Sequence, residues 1–289
     1  MRGLLRPAAL AAAFLLLGGC LLAAASGLLG AEGVEIRSVG PGRLYLPAAG
    51  ESVTLTAHAD GEGGHVHADA AVDGGRFNAA VLLRGRFDGA GAAAAELSRR
   101  GVAVLLADRD VSAAEAWDYM LSQRFTRLSA AALMAGTDRA REALSLADSL
   151  VGGGRECAAV MVLGDEDTVR AGAAARCRNL LVLTSRPASD EAYLAFFGSA
   201  SAAARGFEGY FSEGTARAAE AVGGGPRFSD AGVLARIIDW QGSSLGHAVE
   251  LPDDDVIYKD MTCYRWCAWA CFAAAAAALL RRKTIGGPI

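Results

Sequence analysis

The chain has 289 residues, 53% hydrophobic, with 28 Lys+Arg against 32 Asp+Glu and a formal net charge of −4. Beyond its apolar ends this leaves room for one domain of about 220 residues. So slight an acidic balance supplies no basic footprint for nucleic acid, and none is expected as a partner.

Residues 1–31 form the first candidate membrane anchor. Arg2 and Arg6 precede an uncharged stretch from 7 to 31, longer than the ~20 residues that cross a bilayer core. A cleaved signal peptide competes, although its apolar region is usually only ~7–15 residues. Leu17-Gly18-Gly19-Cys20 is similar to a lipoprotein cleavage box, yet the apolar stretch runs past it through Leu28-Leu29. An uncleaved anchor is the expectation.

Residues 32–75 read as a β-rich entry segment. Val34-Glu35-Ile36-Arg37 and Ser52-Val53-Thr54-Leu55-Thr56 alternate with period two, with Gly and Pro between them. His58, His65 and His67 lie nearby, the last two as His-x-His in a Gly-rich turn. They have no acidic or thiol partner at a fixed spacing, so an exposed hairpin is expected rather than a metal site.

Residues 76–260 read as an α/β domain. The continuous apolar runs 79–83, 102–106, 158–163 and 180–183 are expected as strands buried on both faces. Residues 85–101 between the first two read as a helix, which makes a βαβ unit and a parallel sheet. Helices are also expected at 112–120, 129–150, 169–176, 189–197 and 229–240, the second with Leu133, Ala140, Leu144, Leu146 and Leu150 on its apolar face. Residues 206–217 read as irregular and 218–222 as at most a weak strand. Alanine runs supply much of this helical signal.

Residues 262–283 form the second candidate anchor. It is apolar to Leu280 except for Arg265, carries Trp266 and Trp269 for the headgroup level, and ends in Arg281-Arg282-Lys283. Basic residues on the outer side of both segments would put both termini in the cytoplasm and 32–260 outside the cell membrane. Cys263, Cys267 and Cys271 share one face of this segment. Lipid attachment or helix pairing competes there with simple small-residue packing, and packing is favoured. With Cys157 and Cys177 in the middle and no Cys-x-x-Cys, free buried thiols are expected instead of disulfides or zinc.

Four phrases carry a resemblance. Val81-Leu82-Leu83-Arg84-Gly85, residues 101–108, Phe211-Ser212-Glu213-Gly214-Thr215-Ala216-Arg217 and residues 229–240 resemble the α/β-hydrolase superfamily, in particular its membrane-anchored prokaryotic, archaeal-type members. The likeness spans about 76–258. It implies an α/β fold with a mainly parallel sheet flanked by helices, here shortened by a strand or so, with a membrane helix at each end.

The chemistry departs from the family. A nucleophile elbow reads G-x-S-x-G, whereas Gly164-Asp165-Glu166-Asp167-Thr168 has Glu166 at the nucleophile position. The same stretch is also similar to the family's acid-bearing loop, with Asp167 as the acid. Arg84 replaces the oxyanion-side His, and Gly223-Gly224-Gly225-Pro226-Arg227 lacks the catalytic His. Ser185 follows a strand without the flanking glycines of an elbow. No catalytic, cofactor-binding or metal-binding residue is assigned. Asp165, Glu166 and Asp167 are expected to cap a helix sooner than to hold a divalent cation.

The expected function is therefore a membrane-tethered, extracytoplasmic hydrolase-like domain without a complete triad. It would bind a protein or small-molecule ligand, or serve in assembly, with the lipid bilayer as a partner and no cofactor. The alternative is an active, esterase-like hydrolase with relocated residues, using His247 or a histidine of 58–67.

Overall fold

The computed structural model describes residues 5–31, 33–47, 54–59, 66–71, 77–86, 89–154, 157–245 and 258–285. Contacts divide the chain into two units, residues 33–255 and a pair of terminal segments, 1–32 with 256–289. The chain opens in the terminal unit with helix α1 (Leu5–Ala31).

The central unit begins with the hairpin β1 (Val34–Val39) and β2 (Gly42–Pro47), followed by a separate two-stranded pair, β3 (Thr54–Ala59) and β4 (Val66–Ala71). Then come β5 (Phe77–Leu83), α2 (Ala90–Arg99), β6 (Val102–Ala107), α3 (Ala113–Ser122) and β7 (Thr126–Ala135). After α4 (Ala140–Gly152) the chain runs through β8 (Ala159–Gly164), α5 (Glu166–Ala174), β9 (Leu180–Thr184), α6 (Asp190–Phe197) and α7 (Ala200–Arg205). It closes through β10 (Phe207–Glu208), β11 (Arg217–Ala221) and α8 (Ala231–Leu245).

Nine strands make one mixed sheet in the order β1-β2-β6-β5-β7-β8-β9-β11-β10. The six from β6 to β11 are parallel, and the antiparallel members are β1, β2 and β10. Val81, Leu82, Leu83, Val104, Leu105, Val160, Val162, Leu181 and Val182 are all at most 1% exposed. Strands this apolar on both faces need helices on both sides. α3, α4, α5 and α6 pack in succession on one side, while α2 packs with α8.

The four expected strands are present, and the structure adds a fifth that the sequence concealed. Residues 129–150 are not one helix. β7 ends at Ala135 and α4 begins at Ala140, with the turn Thr137–Arg139 between them. Leu133, assigned above to a helix face, is a buried strand residue paired with Val81 and Val160. Ser-Ala-Ala-Ala-Leu-Met-Ala suits a helix locally, but its neighbours in the sheet decide otherwise. β11, expected as weak at most, is an interior strand between β9 and β10, and α2 starts at Ala90 instead of Gly85.

The terminal unit contains α1 and α9 (Tyr258–Ile285), each with an 18-residue stretch long and apolar enough to cross a membrane. Ala11 packs against Ala275 and Ala278, and a Cβ on Gly18 would lie 2.7 Å from the Phe272 ring, so the helices run antiparallel. Ala25 and Ala268 are buried as well. Leu15, Leu16, Leu17, Trp266, Trp269 and Leu280 point outward and exposed. Small residues inside and bulky apolar residues outside is the arrangement of helices packing in lipid.

Candidate functional site

In open α/β sheets ligands bind beyond the carboxyl ends of the strands, where the strand order reverses. Here β5–α2–β6 runs to one side of β5, and β6–α3–β7 returns past it to the other. The reversal therefore lies between β5 and β7. The loops that leave there are Arg84-Gly85-Arg86 after β5, Asp108-Arg109-Asp110 after β6 and Gly136-Thr137-Asp138-Arg139 after β7.

These loops are tied together by specific bonds. The backbone N–H of Arg86 donates to Asp138 Oδ2 at 3.1 Å. Arg109 donates from Nε and Nη2 to the carbonyl of Gly85 at 3.2 and 3.1 Å. Arg84 faces Asp108 at 3.9 Å. Below them the buried Arg139 donates to the carbonyls of Asp108 (3.3 Å) and Val111 (2.8 Å) and pairs with Glu142 at 2.7 Å. Glu142 also accepts the Ala113 N–H at the start of α3, at 2.6 Å. The hydrogen bond from Arg139, helped by the one from Ala113, holds the Glu142 carboxyl below the usual glutamate range against a modest cost of burial.

Gly89 is the N-cap of α2, with φ 70°. A Cβ there would meet Ser229 Cβ and Oγ at 2.6 Å, so loop and α8 entry approach as closely as backbone allows. Asp138 and Thr137 are exposed in the loop after β7, whereas Gly136 and Arg139 are buried.

The acids after β8 lie one strand further along, and each has its own task. Asp165 is the N-cap of α5: Oδ1 accepts the Thr168 N–H at 3.0 Å, and Thr168 Oγ1 accepts the Asp165 N–H at 3.3 Å, a reciprocal capping box. Gly164 leaves room for the Thr168 side chain, which a Cβ would strike. Glu166 does not stand free as an attacking group. It accepts from Ser189 Oγ at 2.8 Å and from Arg170 at 2.8 Å, tying α5 to α6. The Ser189 bond, followed by that from Arg170, lowers its pKa. Asp167 pairs with Arg141 of α4 at 3.1 Å. The three carboxylates thus diverge, and the capping expectation holds for Asp165.

The remaining sequence candidates are scattered. Ser185 follows β9, half-buried. Gly223 and Gly224 turn with positive φ after β11, and the Arg227 N–H donates to Asp230 at 3.2 Å. His58 and His67 are backbone partners across β3 and β4. His65 and His247 lie outside the described residues. Cys157 is buried and its thiol pKa is pushed up by that burial, while Cys177 is pushed up to about 11 for the same reason. Cys20, Cys263 and Cys267 are exposed on their helices, so these are free but not buried thiols.

Sequence reasoning missed Asp138. Its signal was Gly136-Thr137-Asp138-Arg139-Ala140 behind the apolar run 131–135, and the helix expected over 129–150 hid it. No family model matches the chain, and no curated protein matches it.

Proposed function

We propose that residues 33–255 are a hydrolase-like, non-catalytic binding domain, tethered to a membrane by α1 and α9, with the loops at Arg86 and Asp138 as the binding position. The observation that carries this reading is the bond from the Arg86 amide to Asp138 Oδ2. A serine hydrolase needs a free N–H from the loop after this strand, together with one after the nucleophile, to receive the oxyanion. In this chain a fixed carboxylate already takes that N–H, and its charge would repel an oxyanion. Gly223-Gly224-Gly225-Pro226-Arg227 after β11 supplies no base, because a guanidinium does not deprotonate.

A second reading is an active hydrolase with Asp138 as a carboxylate nucleophile. It is favoured by the exposed side chain on a tight strand-to-helix turn at the reversal of the sheet. Attack on an ester carbonyl would break its C–O bond, expel the alcohol and leave a mixed anhydride on Asp138. This reading therefore further requires an acid to protonate the leaving alkoxide and a base to direct water at the anhydride.

Membrane tethering is supported by the packing of α1 against α9, with alanine and glycine inside and leucine and tryptophan outside. Arg2, Arg6, Arg281, Arg282 and Lys283 favour cytoplasmic termini and an outward-facing domain.

Ester turnover and fluorophosphonate labelling of the detergent-solubilised full chain test the reading, alongside Asp138→Ala, Glu166→Ala and Ser185→Ala. No turnover and no labelling in any of the four is expected. Turnover abolished by Asp138→Ala alone would establish the second reading. Turnover abolished by Glu166→Ala or Ser185→Ala, or unaffected by all three, would overturn both.

A further inference from the structure

The two edges of the nine-stranded sheet differ. β10 has only two residues, whereas β1 has six and is the outermost strand on its side among the described residues. A strand of that length with an open edge is a template for another strand unless charge or shape prevents it.

The open edge of β1 can be identified from its hairpin. Val39 and Gly42 flank a two-residue connection and close it as a hydrogen-bonded pair. Alternation along an antiparallel ladder makes Arg37–Leu44 and Glu35–Leu46 hydrogen-bonded pairs too. Val34, Ile36 and Ser38 therefore send their N–H and C=O groups to the open side. Pro47 opposite Val34 agrees, since it has no N–H to give.

The side chains on β1 are self-complementary about Ile36. Glu35 and Arg37 lie on one face and pair with each other at 2.7 Å, and Ile36 is 41% exposed on the other. We propose that a second copy of this chain adds its β1 antiparallel to the first, with Ile36 opposite Ile36 of the second copy. In this two-fold register Glu35 faces Arg37 of the second copy and Arg37 faces its Glu35. The two isoleucines then cover each other, and about six main-chain hydrogen bonds form through residues 34, 36 and 38. A slip of the pairing by two residues sets the charges out of register, so the pattern specifies this alignment. The contact is isologous and closes as a dimer, joining two sheets into one.

The mass of the full chain in detergent, followed by sedimentation or light scattering over a range of concentrations, tests this. The wild type is expected to pass from monomer to dimer. Ile36→Pro removes the donor that faces the open edge and the isoleucine that covers its counterpart, at a position where an edge strand tolerates proline. It should leave thermal unfolding near that of the wild type while weakening dimerisation about tenfold or more. Glu35→Arg and Arg37→Glu should each be monomeric alone, because each sets like charges opposite one another. Mixed together they should form a heterodimer, because positions 35 and 37 are then both basic in one chain and both acidic in the other. A wild type that stays monomeric throughout, or a dimer unchanged by Ile36→Pro and by both charge variants, would overturn the proposal. So would a failure of the mixed variants to associate.

Discussion

Arg139 ties together the loops at the reversal of the sheet. It is 9% exposed, one position after Asp138, and its guanidinium spans two carbonyls of the β6–α3 loop and the Glu142 carboxylate. Removing it takes the guanidinium bonds from both carbonyls and from the carboxylate, leaving, among the described residues, Asp108 O only the Val111 N–H and Glu142 only the Ala113 N–H. Arg139→Met is therefore expected to destabilise by about 2–4 kcal/mol in urea unfolding. Glu142 adds a dependence on pH. Its folded pKa is lowered, so its stabilisation is fully present above the unfolded value near ~4.3 and is lost as pH falls through the folded one. Because the side chain is 39% exposed, solvent screens part of this effect. Glu142→Gln should thus be less stable than the wild type at neutral pH and show a shallower loss on acidification below about pH 4. Equal acid slopes for the two proteins would contradict the assignment.

Elements in this fold are set by close approaches as much as by propensity. Gly89 at the N-cap of α2 combines a left-handed backbone with a 2.6 Å approach to Ser229, so a methyl group is opposed twice. Gly89→Ala is expected to cost about 1–3 kcal/mol, measured by thermal or urea unfolding. A change under a few tenths would show that the α8 entry yields freely. At α5 the capping box accounts structurally for the acid that follows Gly164. β7 teaches the opposite lesson about legibility. Its residues 129–135 are mostly alanine, and alanine buries as readily in a strand between two others as on a helix. Runs rich in valine and leucine, such as 102–106 and 180–183, were legible because branched and bulky side chains fit a sheet covered on both faces.

For the molecule as a whole the question is where residues 33–255 stand relative to a bilayer. Two antiparallel apolar helices with arginines beyond their terminal ends predict an outward-facing domain. A reporter active only outside, inserted at residue 62, and another active only inside, fused after Ile289, should both be active. An active outside reporter at the C-terminus would mean that α9 does not cross or that the orientation is reversed.

The amino-acid sequence alone determined the class of this protein. Continuous apolar runs bounded by glycine are satisfied by strands buried on both faces, and the uncharged stretch 7–31 is long enough for a helix that crosses a membrane. It also showed that the stretch 223–227, Gly-Gly-Gly-Pro-Arg, carries no histidine. Tertiary structure alone decided which turn lies at the reversal of the sheet. Local sequence pointed to the acids after β8, where helix capping and links to α4 and α6 account for them. At the reversal the loops are instead joined where Asp138 accepts the amide of Arg86, 52 residues away. That meeting depends on the order of strands, which is fixed by how whole apolar faces pack together and which no local spacing of residues encodes.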